Sequence, residues 1–270
     1  MNDQDLLNVE KEGSIAWLIL NRPEKRNALN MAFFSKLSKL MVQLDDDPEV
    51  RVVIIKAEGP SFALGMDLDE ASEQSMLQIA GVDDREKLRR KIIELQESMN
   101  VIERCRKPVI AAVHGHCVGG GIDIISACDI RIASRDAIFS IAETRMAIIA
   151  DMGTLQRLPT IIGQGWFREL ALTGRFFNAD EAFGMGLITR LCENRNELYI
   201  EAKKLAEEIA ANSPLTVQGT KDVINYTRDN GVYPGLEYTA QKNAALLVSE
   251  DLKEAFRAFM EKRPPQFKGR

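Results

Sequence analysis

The stretch His114–Asp129, HGHCVGGGIDIISACD, holds the residues whose types and spacing could do chemistry. Gly119, Gly120 and Gly121 open what reads as a helix, and glycine lets a ligand approach the backbone closely there. The first N–H groups of a helix lack intrahelical acceptors and favour an oxyanion. Asp123 follows among Ile122, Ile124 and Ile125. A carboxylate in a buried helical stretch is costly unless it is paired or protonated. Oxyanion donors beside a carboxyl of tuned pKa point to chemistry next to a carbonyl. The plain alternative for the glycines is a tight strand-to-helix turn. A dinucleotide site fits poorly, because the glycines are contiguous rather than spaced G-x-G-x-x-G, and no acidic residue ends a following strand at the expected distance.

These residues need a scaffold, and its elements can be read from hydrophobic periodicity. GSIAWLIL and VRVVIIKAE read as strands, with the helix MAFFSKLSKLMVQLDDD between them. Asn30 is its expected N-cap and Asp47-Pro48 its end. A second helix runs through REKLRRKIIELQESMNVIERCRK. PVIAAVHG is the next strand, then the glycine-opened helix from Gly121, then short strands in DIRIAS and AIFSIAE. This alternation predicts an α/β fold. Beyond about Gly153 the pattern turns helical, with helices expected at 165–173, 179–184, 198–211, 215–228, 235–248 and 251–262. We therefore divide the 270 residues into a core at 1–200, carrying the site, and a helical C-terminal region at 201–270.

Composition narrows the function. Hydrophobic residues make up 45% and charged residues 28%, as in a soluble globular protein. No apolar run is long enough to span a bilayer, so no membrane partner is expected. A net charge of −5 argues against nucleic acid as a partner, and the basic run REKLRRK reads as a solvated helix face. Cys105, Cys117, Cys128 and Cys192 make no C-x-x-C pair and read as reduced core residues. His114 and His116, the two histidines, make a poor metal site, and no metal is expected. No serine stands on a nucleophile elbow. The acidic, polar start MNDQDLLNVEKEG is unlike a secretory or transit peptide, and the C-terminal FKGR is no peroxisomal tripeptide. The expected compartment is cytoplasmic.

Several motifs carry a family resemblance. They are LNRPEKRNALN (Leu20–Asn30), SFALGMDLDE (Ser61–Glu70), KPVIAAVHGHCVGGGIDIISACDIRIAS (Lys107–Ser134), GTLQRLP (Gly153–Pro159), ADEAFGMGLI (Ala179–Ile188) and AFMEKR (Ala258–Arg263). In this order the chain resembles the crotonase superfamily, the enoyl-CoA hydratase/isomerase group, nearly end to end. The resemblance implies a spiral of ββα units with a helical C-terminal region used for trimerisation, giving a homotrimer or a dimer of trimers. It implies an acyl-CoA thioester substrate, no cofactor apart from the coenzyme A that the substrate carries, and a role in fatty acid degradation.

Carried over residue by residue, the resemblance places oxyanion-hole N–H groups on Met66 and Gly120. It puts the CoA adenine and pantetheine along the backbone at Ala28, Ala63 and Gly65, with Lys25 and Arg26 as candidates for the phosphates and Lys262 as a further CoA contact. Met66 also reads as an apolar packing residue, Lys25 and Arg26 as a solvated turn, and Lys262 as a charge favoured at a helix C-terminus. Asp123 and Glu143 match the positions of the paired hydratase carboxyls, and Asp151 lies where hydratases commonly carry glycine. The Asp, Glu, Asp pattern is similar to that of Δ3,5-Δ2,4-dienoyl-CoA isomerases. Such an isomerase moves a proton between the two ends of a conjugated chain, and one carboxyl cannot easily serve both. The rival is an enoyl-CoA hydratase working through Asp123 and Glu143. A more distant one is an RNA-binding member of the family.

Each carboxyl also has a structural reading. Asp151 could cap a helix starting at Met152. Glu143 could pair with Arg131 or Arg145, which would lower its pKa and weaken it as a base. Asp123 has no adjacent cation. Asp129 reads as structural, orienting the turn to Arg131, and Asp67, Asp69 and Glu70 as surface or loop-capping residues. The acyl pocket wall is expected in 68–82.

Overall fold

The computed structural model describes residues 6–69 and 82–270. Most of the expected pocket wall, and Glu70, lie outside the described residues.

Six strands form the main sheet in the order β1-β2-β3-β4-β6-β9. They are β1 (Leu7–Glu12), β2 (Ile15–Leu20), β3 (Val52–Ala57), β4 (Val109–Val113), β6 (Ile130–Ser134) and β9 (Arg190–Cys192). β1 pairs antiparallel with β2, and every other neighbour pair is parallel. β2, β3 and β4 are buried on both faces, as nearly unbroken apolar runs require. Side chains alternate between two cores. Ala16, Leu18, Leu20, Val53, Ile55, Val109 and Ala111 enter the larger one. Ile15, Trp17, Ile19, Val52, Ile54 and Ile110 face the smaller one, under a helix of residues 195–210. β1 was not among the expected strands. LNVEKE alternates apolar with polar residues and carries charge on its outer face, a pattern suited to a sheet edge.

A second, smaller sheet contains β5 (His116–Val118), β7 (Ile138–Ser140) and β8 (Phe177–Asn178). The chain steps from one sheet to the other on successive passes. β4 leads to β5 and β6 to β7, while β3 leads to Ala63, which bridges Cys117 of the small sheet. A helix follows each of the first two steps in sequence: α2 (Val82–Arg104) after Ala63 and α3 (Gly120–Ala127) after β5. This is the expected crotonase-like spiral of ββα turns. α1 (Met31–Asp46) begins as expected at Asn30, whose side chain accepts the Phe33 N–H at 2.9 Å.

The remaining helices are α4 (Thr154–Thr173), α5 (Ala179–Gly184), α6 (Arg195–Ala210), α7 (Pro214–Asn230), α8 (Val232–Leu246) and α9 (Glu250–Glu261). α4 begins eleven residues before the expected start at Gly165; it contains Pro159 and a non-helical Gly163, which mask it in a reading of breakers. α6 lies on the main sheet, so the expected boundary at residue 200 runs through it. Among the described residues no helix is long and apolar enough to cross a membrane.

Candidate active site

The glycine run sits where the small sheet turns into α3. Gly119 has φ +54, a left-handed conformation in which a side chain would be strained. A Cβ on Gly121 would come within 2.9 Å of the Ala63 carbonyl oxygen, so glycine there lets α3 pack against the segment that bridges Cys117. Met66 approaches from the other side. Leu29 N–H donates to the Gly65 carbonyl at 2.7 Å and Asp67 N–H to the Leu29 carbonyl at 2.8 Å. In this parallel bridge the intervening Met66 N–H takes no part. Neither Met66 N–H nor Gly120 N–H has a protein acceptor among the described residues. The two segments touch: a Cβ on Gly65 would lie 3.6 Å from the Gly120 nitrogen. Two free N–H groups held side by side are what an oxyanion needs.

The carboxyls gather beside this pair. Glu143 opens a 3-10 turn (Glu143–Met146), and its Oε1 would be 3.4 Å from a Cβ on Gly119. Its Oε2 is buried without a hydrogen-bond partner among the described residues. Burial first, then the charge of Asp123, raises its pKa to about 7. The alternative of a pairing with Arg131 or Arg145 is not found among the described residues. Arg131 is buried and donates to the carbonyls of Leu187 (2.8 Å), Cys128 (2.6 Å) and Ile125 (3.3 Å). Arg145 lies over the Phe176 ring, 5.4 Å from its centroid. Glu143 is therefore raised where a paired carboxylate would be lowered.

Asp123 is buried, and its Oδ1 accepts two hydrogen bonds from Thr154: from N–H at 2.9 Å and from the hydroxyl at 2.6 Å. Burial raises its pKa to about 6, against the lowering effect of those bonds. Nothing in the sequence near Asp123 announces this partner, which lies on the first turn of α4.

Asp151 is half-buried, with its pKa raised by burial. It is not a helix cap: α4 starts at Thr154 with Gly153 as N-cap. Its backbone is clamped instead. Gln96 of α2 donates to the Asp151 carbonyl at 2.7 Å, and Arg157 Nη1 to the Met152 carbonyl at 3.4 Å. The Arg157 guanidinium occupies the place of a side chain at Gly153, with Nη1 1.7 Å from where a Cβ would be. The charge of Asp151 raises both Asp123 and Glu143, so the three carboxyls form one electrostatic cluster.

The remaining expected contacts divide. Lys25 is exposed and paired with Asp69 at 2.6 Å, next to Arg26, which is exposed with φ +51. The Ala28 carbonyl accepts from Arg22 at 3.1 Å, and Arg22 also pairs with the buried Asp67 at 2.6 Å. Asp67 is thus a buried ion-pair partner rather than a surface residue, and it caps its loop as expected, its Oδ1 accepting from Asp69 N–H at 3.2 Å. The N–H of Ala63 donates to His116 and its carbonyl accepts from Val118. Lys262 is exposed at the C-terminal end of α9, and among the described residues no hydrogen bond or ion pair ties it to the site. Asp129 is structural, as expected, but by a different contact. Its Oδ2 accepts from Val109 N–H at 2.7 Å and from Lys221 Nζ at 2.6 Å. A cavity of about 1070 Å³ lies between the C-terminal helices and the core, and none of the three site carboxyls lines it. Among the described residues no cluster of metal-ligating side chains is present. All four cysteines are free and buried.

The chain matches the enoyl-CoA hydratase/isomerase family model over residues 10–270. It is similar to a peroxisomal Δ3,5-Δ2,4-dienoyl-CoA isomerase of Arabidopsis thaliana, 46% identical over 266 residues, covering 97% of this chain and 96% of the relative. A mitochondrial Δ3,5-Δ2,4-dienoyl-CoA isomerase of Dictyostelium discoideum is 40% identical over 272 residues, covering 99% and 93%. Among solved structures, an enoyl-CoA hydratase from Bacillus anthracis superposes with a TM-score of 0.91 at 32% identity, covering 98% of this chain and 100% of the other. These relatives overturn the expected cytoplasmic location, since their names place them in the peroxisome and the mitochondrion. Sorting signals are read by receptors, so the lack of a familiar motif does not fix a compartment.

Proposed function

The chain belongs to the enoyl-CoA hydratase/isomerase family, and from that premise we propose that it is a Δ3,5-Δ2,4-dienoyl-CoA isomerase acting in fatty acid degradation. The observation that carries this reading is Asp151, a third raised carboxyl beside Asp123 and Glu143. It agrees with the names of the relatives at 46% and 40% identity.

The thioester oxygen of the substrate accepts hydrogen bonds from Met66 N–H and Gly120 N–H. These stabilise the negative charge that develops when a proton leaves the α-carbon. Glu143 stands against Gly119, the neighbour of one donor, so it serves the thioester end. It removes the C2 proton. The electron pair spreads along the chain as a dienolate, and Asp151 delivers a proton to C6 at the far end. One proton leaves and one arrives, the double bonds move from 3,5 to 2,4, and no electrons are exchanged. Coenzyme A, as part of the substrate, is then the only group required beyond the protein. A base must be ionised and an acid protonated at one pH; burial brings Glu143 to about 7 and raises Asp151 above its ordinary value, toward the protonated form.

For the coenzyme, the backbone at Ala28, Ala63 and Gly65 and the side chains of Lys25, Arg26 and Lys262 are the proposed contacts. Lys25 must exchange Asp69 for phosphate, and the exposure of that pair makes the exchange inexpensive. We also propose a homotrimer or dimer of trimers. Leu236, Ala240, Ala244 and Leu247 on and just beyond α8 are exposed within this chain, which supports burial by another copy. Light scattering at micromolar concentration that gives a monomer mass refutes it.

The deciding assay compares absorbance changes on a 3,5-dienoyl-CoA and a 2-enoyl-CoA with one purified sample. Faster turnover of the dienoyl substrate is expected. Faster hydration of the 2-enoyl substrate overturns the reading in favour of a hydratase using Asp123 and Glu143.

A further inference from the structure

We propose that Thr154 is a positioning residue of this site: its hydroxyl, donating to Asp123, holds Asp123 as an anion and so sets Glu143 as a strong base. The inference deepens the isomerase reading and rests on it.

The geometry is specific. Thr154 is fully buried on the first turn of α4, and both of its donors reach the same oxygen of Asp123. With Oδ1 saturated by two donors, any proton that Asp123 takes must go to Oδ2. Hydrogen bonds donated to an ionised carboxylate favour the ionised form. Here they oppose nearly complete burial, which favours the neutral form. The charge so retained acts on Glu143, since Asp123 is the largest contributor after burial to the raised Glu143 pKa. A base of higher pKa removes a carbon-bound proton faster, provided it is ionised at the working pH.

The groups facing Asp123 from the surrounding elements leave the hydrogen-bonding role to Thr154. α4 also presents Arg157, whose charge favours the Asp123 anion through space, less than the Thr154 bonds do, while its Nη2 is taken by Asn100 (2.7 Å) and Glu103 (3.1 Å) of α2. β5 presents the buried thiol of Cys117, held neutral by burial. Asp151 and Glu143 bring like charge. Among the described residues, Thr154 is the one side chain that donates a hydrogen bond to Asp123.

The same contact links two carboxyls mechanically. Asp123 on α3 grips the backbone three residues after Asp151, while Gln96 holds the Asp151 carbonyl from α2. A purely structural role would therefore lower activity without moving a pH profile, and the test must separate the two.

The experiment is kcat against pH on a 3,5-dienoyl-CoA for wild type and for the variants Thr154→Val, Thr154→Ala and Thr154→Ser. Losing the hydroxyl raises the Asp123 pKa, neutralises that group near pH 7 and lowers the Glu143 pKa. In Thr154→Val the acid limb should move to lower pH by about one unit, and the plateau should fall by about three- to ten-fold. Thr154→Ala carries the same expectation without a methyl group facing the carboxylate. Thr154→Ser keeps the hydroxyl and should keep the wild-type limb. Asp123→Asn should move the limb in the same direction, and adding Thr154→Val to it should move it no further. An unmoved limb in both hydroxyl-lacking variants overturns the proposal. So does an equal displacement in Thr154→Ser, or a further one in the double variant. Absence of dienoyl turnover by the wild type would instead refute the isomerase reading. The limb would then be measured on hydration of a 2-enoyl-CoA, where the same link between Asp123 and Glu143 applies.

Discussion

The side-chain amide of Gln96 donates to the backbone carbonyl of Asp151 at 2.7 Å, so α2 holds the Asp151 main chain without engaging its carboxyl. Replacing that carboxyl should leave the fold untouched. Asp151→Asn keeps the size of the side chain and the Gln96 contact. We expect dienoyl isomerisation to fall by about 10²–10⁴-fold, as for loss of a general acid or base, with little change in thermal melting. Residual hydration through Asp123 and Glu143 should fall far less. A variant with wild-type turnover and a lowered melting temperature shows that Asp151 is structural.

Gly120 tests the oxyanion donors. A Cβ there would come 2.7 Å from Leu29 Cδ1, and Leu29 is fully buried with little room to yield. Gly120→Val should displace the N–H and crowd the thioester. Loss of one such donor typically costs about 10²–10³-fold in rate, and the measured fall in kcat should reach that range. Activity within a few-fold of wild type removes Gly120 from the hole.

Glu143 has a thermodynamic signature as well as a kinetic one. Its pKa lies at about 7 in the folded chain, against an ordinary value of 4.5 once the chain unfolds. Between these values the folded state holds the extra proton, so the stabilising contribution is complete below pH 4.5 and is lost as pH rises through 7. Glu143→Gln removes the ionisation. It should abolish turnover yet unfold less readily than wild type at pH 8, by on the order of 3 kcal/mol. The two proteins should converge near pH 4.5, the ordinary carboxyl value. Denaturant melts at both pH values check this, and equal stability at pH 8 refutes it.

The Asp129–Lys221 pair should behave in the opposite way. Lys221 is buried, and it joins α7 to the start of β4 and to the loop before β6. Lys221→Met leaves a carboxylate with one backbone donor and only the through-space charge of Arg131, whose donors are taken by carbonyls. Breaking a buried pair costs about 3–5 kcal/mol, and the partial exposure of Asp129 places this case at about 3. The acid limb of the catalytic profile should stay where it is. Unchanged denaturant stability would show that solvent replaces the lysine.

What could be read in the sequence follows the range of the forces involved. The cap at Asn30, the alternating strands and the glycine-opened helix depend on neighbours within a few residues, and they stand as expected. The clustering of Asp123, Glu143 and Asp151 came from family motifs, since no local rule brings residues from three separate segments together. Arg145 shows how proximity in sequence misleads. It is two residues from Glu143, yet the 3-10 turn directs its guanidinium to Phe176. Thr154 was illegible for the converse reason: it is 31 positions from Asp123, and a threonine at a helix start has ordinary local explanations.

Gly153 cannot gain a side chain while the Arg157 guanidinium keeps its place. The guanidinium occupies the space that any side chain at 153 would need, and the φ of +119 at that glycine is one that other residues rarely adopt. A mutation at 153 must therefore arrive with, or after, a shorter residue at 157. That second change would release Glu103, Asn100 and the Met152 carbonyl together. A lineage that has lost the glycine should thus have lost the arginine as well, while loss of the arginine leaves the glycine free to stay.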